Sequence, residues 1–168
     1  MERRYATEVR AVGRRLEGYA ALFGSEARIA DFTETIRAGA FADSLRGDRD
    51  VLALVDHDTS RLLARTRTGT LRLSEDAQGL AFSLDVPDTQ LGRDVLAMAE
   101  RGDLGGMSFG FTIPKGGDTW EGRRRELRKV DLREVSVVHA WPAYDGTEVT
   151  ARSRTPRLSL ATRYLETV

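Results

Sequence analysis

The chain has 168 residues, with 26 basic and 26 acidic side chains that balance to a net charge of zero at neutral pH. This length suits one domain with a real core, and the balanced charge gives no electrostatic reason to expect nucleic acid or an anionic membrane as partner. Cysteine is absent, which excludes disulfides, thiolate metal sites and cysteine catalysis and suits a reducing cytosol. The start Met1-Glu2-Arg3-Arg4 has no apolar h-region behind it, so no signal peptide is expected. No apolar run is long enough to span a bilayer.

In chain order, residues 16–23 read as a first strand ending at Gly24. Residues 28–37 alternate apolar and polar side chains and read as a strand or a loop. Gly39-Ala40-Phe41 leads into a helical turn, with Phe41 and Leu45 on one face. Residues 51–55 are a compact apolar run typical of a buried strand, ending at Asp56-His57-Asp58. Three strands follow at 62–67, 70–74 and 80–86, and their short polar turns predict an antiparallel meander. Pro87-Asp88-Thr89 opens the clearest helix, capped by Asp88 or Thr89. Leu91, Val95, Met98 and Ala99 form its apolar stripe, and Gly102 is its stop.

A glycine-flanked strand covers 107–113. Residues 120–130 carry Arg123-Arg124-Arg125 and read as a solvated hairpin, because charge runs usually face water. Residues 132–138 form an apolar strand interrupted by Glu134. Residues 147–151 suit a last short strand, and 152–168 a terminal helix or tail outside the domain formed by 1–151. About seven strands and two or three helices predict a mainly β fold with some α. The expected architecture is a mostly antiparallel, closed or nearly closed barrel with helices on its outside.

Ser108, in Gly105-Gly106-Met107-Ser108-Phe109-Gly110-Phe111, is the candidate nucleophile. A hydrolytic serine needs a nearby base, and the chain offers only His57 and His139. Alone, His57 reads more often as a surface histidine at a turn; Ser108 and Glu134 change that reading. A carboxylate seldom enters an apolar strand unless it is paired or hydrogen-bonded. Glu134 is therefore either in a structural ion pair or on a wet face, or it orients His57. Strand alternation puts Glu134, Ser136 and Val138 on one face and Val135, Val137 and His139 on the other. His139 is the rival third member. Two isolated histidines without cysteine make a poor zinc set. No phosphate-binding loop and no dinucleotide fingerprint occur, and Ser108 is not in a Gly-x-Ser-x-Gly elbow. No metal or cofactor is expected.

Val55-Asp56-His57-Asp58, the run 105–111 and Leu132-Arg133-Glu134-Val135-Ser136-Val137-Val138 together resemble the signature segments of the HK97-type prohead serine proteases of tailed phages. Gly18-Tyr19-Ala20 with Phe23, Gly39-Ala40-Phe41 and residues 80–89 resemble that family too, and the resemblance covers about residues 14–150. It implies a fold shared with the herpesvirus assembly proteases and a triad of Ser108, His57 and an acid that matches Glu134. The herpesvirus relatives use a second histidine, which keeps His139 in question. It further implies a serine endopeptidase inside the immature capsid, in the bacterial host cytoplasm, of a phage, prophage or gene transfer agent. Its substrates would be scaffold and the scaffold-like N-terminal part of the major capsid protein. Self-processing and a homo-oligomer are compatible with it. A rival of another class is a non-catalytic capsid-assembly module, which would leave coexpressed capsid protein at full length. A second rival, a small-molecule hydrolase, would need a deep pocket.

Overall fold

The computed structural model describes residues 1–6 and 9–139, and within them thirteen strands and two α-helices. The strands are β1 (Glu2–Ala6), β2 (Val9–Val12), β3 (Arg15–Leu22), β4 (Ala27–Ile29), β5 (Phe32–Ile36), β6 (Leu52–Val55) and β7 (Asp58–Arg65). They continue as β8 (Leu71–Glu75), β9 (Gly79–Asp85), β10 (Gly106–Thr112), β11 (Asp118–Glu121), β12 (Arg124–Leu127) and β13 (Asp131–Val138). Helix α1 is Ala42–Arg46 and α2 is Gln90–Arg101. The expected strand at 147–151 and the tail at 152–168 lie outside the described residues.

Three sheets result: β1-β10-β13-β6-β7, β11-β12-β5-β4 and β2-β3-β9-β8. Pairing is mostly antiparallel, with β13–β6 and β12–β5 parallel. The fold is mainly β with few helices, as the sequence predicts, but among the described residues none of the sheets closes into a barrel. The strand count exceeds the expected seven because β1, β2 and β4 are three to five residues long and carry no apolar run or clear alternation, and the expected hairpin near residue 120 adds β11 and β12. The predicted meander is also broken. A 3₁₀ turn at Thr66–Thr68 and Gly69 (φ 71°) redirect the chain after β7. As a result β7 stays with β6, while β8 and β9 join β3.

The core lies between the sheets. Along β10, Met107, Phe109 and Phe111 enter it, and Ser108 and Gly110 take the other face. The Phe109 ring meets Phe41 edge-on at 5.4 Å and stacks with Phe111 at 5.2 Å, which fixes the strand that carries Ser108. Thr89 caps α2, its hydroxyl accepting the Gly92 N–H at 3.1 Å, and Gly102 ends it at φ 74°. The residue-120 hairpin departs from a solvated one. Arg125 is buried and reaches Glu34 at 3.2 Å and Glu2 at 2.7 Å.

Candidate active site

The central sheet assembles the site. Strand β13 lies between β10 and β6, with Ser108 opposite Ser136 and Gly110 opposite Glu134. Directly paired residues project to the same face, so Ser108, Ser136 and Glu134 share it. Strand β6 runs parallel to β13, Val55 beside Val137, and leads directly into the two-residue turn Asp56-His57. Both turn residues have positive φ, 52° and 62°, the combination that type I′ hairpin turns require. Aspartate and histidine tolerate this region better than most residues, yet each still costs about 1–2 kcal/mol there. The turn brings His57 to β13, where its Nδ1 lies 2.7 Å from Glu134 Oε1.

Glu134 is held on several sides. The Ser136 hydroxyl donates to Oε2 at 2.5 Å, and Arg3 Nε lies 3.9 Å from Oε1. A Cβ at Gly110 would come within 2.2 Å of Oε1, so the glycine opposite Glu134 makes room for the carboxylate. Burying this anion is offset by a hydrogen-bonded ring, a hydroxyl and a guanidinium together. Ser108 is 0% exposed, His57 2% and Glu134 4%. The Ser108 hydroxyl has no hydrogen-bond partner among the described residues.

The four residues singled out from sequence separate cleanly. His57 and Glu134 are in contact, and Ser108 is on the neighbouring strand of the same face. His139 stands at the end of β13 and pairs instead with Asp56, Nδ1 to Oδ2 at 2.5 Å. Sequence reasoning missed Arg3, Ser136 and Asp56 as parts of the site. Ser136 is two residues from Glu134 on a strand, a spacing that carried the signal; Arg3 sits in a segment with no strand pattern. A surface pocket of about 450 Å³ lined by Val9, Arg10, Gly18 and Tyr19 contains none of these residues and lies on another sheet.

A buried serine, a histidine and a carboxylate on one sheet face suit acyl transfer by a serine nucleophile. No helix among the described residues is long and apolar enough to cross a membrane. No curated protein and no solved structure matches the chain. The family model for the caudovirus prohead serine protease matches residues 3–159, a span that includes every residue of the site, and the chain belongs to that family of phage capsid-maturation proteases.

Proposed function

We propose that the chain is a serine endopeptidase that trims scaffold and the N-terminal part of the major capsid protein within the immature shell of a tailed phage, prophage or gene transfer agent. Ser108 is the nucleophile, His57 the base and Glu134 the residue that orients His57. The observation that carries this reading is the buried 2.7 Å contact between His57 Nδ1 and Glu134 Oε1 beside the strand of Ser108.

A carboxylate only accepts hydrogen bonds, so the contact assigns the proton to Nδ1 and makes Nε2 the basic nitrogen of the neutral ring. Nε2 takes the Ser108 proton as Oγ attacks the scissile carbonyl. The resulting imidazolium then gives that proton to the leaving amine. Glu134 stabilises the imidazolium, and Ser136 keeps the carboxylate turned toward it. Water deacylates the enzyme by the same exchange in reverse. Ser108 is 0% exposed, so attack follows an opening that lets the substrate reach it, a step of the kind that precedes chemistry in many enzymes.

The test is coexpression with the cognate major capsid protein. The parent shortens it, and a folded Ser108→Ala variant leaves it at full length. Shortening by Ser108→Ala would refute the nucleophile, and full-length capsid protein with both would favour the non-catalytic assembly module.

A further inference from the structure

We infer that Asp56 is a positioning residue, a clamp that fixes the strained turn presenting His57 to Ser108. The inference rests on the serine-protease reading of the site.

The turn is unlike an ordinary hairpin turn because neither central residue is glycine or asparagine, although both have positive φ. Such conformations persist where the surroundings over-determine them. Here the surroundings act through Asp56. Its main-chain N–H donates to Val137 O at 2.9 Å. Its Oδ1 accepts the main-chain N–H of His139 at 3.0 Å. Its Oδ2 accepts from His139 Nδ1 at 2.5 Å and from Arg61 Nη1 at 3.1 Å. One carboxylate thus ties the turn to the end of β13, the sheet neighbour of β6, and to β7, the strand that follows the turn. Its side chain is only 10% exposed.

Asp58, on the other side of His57, behaves differently. It is exposed, and its Oδ1 accepts from the N–H and hydroxyl of Ser60. The two acids bracketing His57 therefore do separate things: Asp58 shapes the start of β7, and Asp56 anchors the turn to the strand that also carries Glu134. His57 and Glu134 are held in one frame because both refer to β13. This gives His139 its place: it braces Asp56. Its Nδ1 can donate in the neutral and in the protonated ring, so the brace does not depend on its charge.

Three variants of the full chain separate positioning from mere structure. Asp56→Gly accepts positive φ at no steric cost but removes the carboxylate. Asp56→Asn keeps an acceptor and tolerates the conformation. His139→Ala removes one arm from outside the turn. The first readout is the rate at which a fluorophosphonate probe labels Ser108. The second is the Nδ1–H proton resonance of His57, recorded in a Ser108→Ala background, which needs no activity. Asp56→Gly should lower the maximal labelling rate roughly 10–100-fold with little change in probe affinity, and should broaden the His57 resonance. Asp56→Asn should recover most of the loss, and His139→Ala should fall between. Labelling by Asp56→Gly at the parent rate, a loss that only tracks the unfolded fraction, or an asparagine variant as poor as glycine would overturn the clamp. If the parent itself fails to label at Ser108, the serine-protease reading fails. A sharp His57 resonance lost in Asp56→Gly would still support the clamp, and one indifferent to it would overturn it.

Discussion

Glu134 is asked to satisfy His57, Ser136 and Arg3 from a side chain that is 4% exposed. Replacing it by glutamine keeps the size but gives a neutral group with one donor end. An amide facing His57 Nδ1 through its NH₂ forces the wrong tautomer, and through its oxygen it still lacks the charge that stabilises imidazolium. Glu134→Gln should therefore lower the turnover number by about 10³-fold or more, while His139→Ala, acting only through Asp56, should cost far less. Matched steady-state assays on the two folded variants decide this, and the reverse order would make His139 the third member. At this scale the sequence was readable where chemistry breaks a pattern. Glu134 stands out because a carboxylate interrupts an apolar run. Arg3 does not, because an arginine near a charged terminus looks ordinary, and only the pairing of β1 with β10 puts it opposite Gly110.

The paired strands β10 and β13 form the element on which the site depends, and Gly110 is its tightest point. An alanine there would set its methyl about a bond length too close to Glu134 Oε1. The carboxylate is the far end of a flexible side chain, but His57 and Ser136 hold it, so relief comes by displacing it from His57. Gly110→Ala should destabilise the protein by about 1–3 kcal/mol and lower turnover by more than the lost stability explains. Denaturant melts and turnover measured well below the melting temperature separate the two effects; full turnover would mean that Glu134 does not need its observed position. The strands carrying the site were legible because they are nearly unbroken apolar runs: residues 51–55, 107–113 and 132–138 cover β6 and most of β10 and β13. The parallel union of β6 and β13 was not. Strand periodicity tells which residues share a face of one strand, whereas neighbours in a sheet are chosen by long-range packing. The same limit accounts for the barrel expectation, since consecutive strands joined by short turns fit both a closed barrel and three separate sheets.

Across the whole molecule, a buried ionic cluster joins the active-site sheet to the sheet of β5 and β12. Arg4 on β1 holds Glu34 of β5 through two nitrogens, one contact at 2.8 Å. Arg125 of β12 reaches Glu34, Glu2 and Asp118. Glu34 is 1% exposed, so Glu34→Ala removes the buried acceptor that Arg4 and Arg125 share; Glu2 still pairs with both arginines and Asp118 with Arg125, and the loss should be about 1–3 kcal/mol, the usual penalty for leaving buried donors short of an acceptor. Urea unfolding measures it. The same cluster sets an acid limit. Burial pushes the Glu2 carboxyl up, but its hydrogen bond to Arg125 and the charges of Arg4 and Arg125 outweigh burial and leave it below the ordinary value. A carboxyl lowered in the folded state binds protons more readily when unfolded. Its stabilisation is therefore fully present above the ordinary carboxylate range and is lost as pH falls through that range toward the lowered native value. Glu2 lies on β1, at the edge of the active-site sheet and paired with the strand of Ser108, so this increment holds the site's flank in place. Glu2→Gln should lower the melting temperature at neutral pH and narrow the gap to the parent as the medium is acidified below the carboxylate range. Calorimetric melting temperatures of both proteins across that range test the linkage, and two parallel curves would show that Glu2 contributes nothing to it.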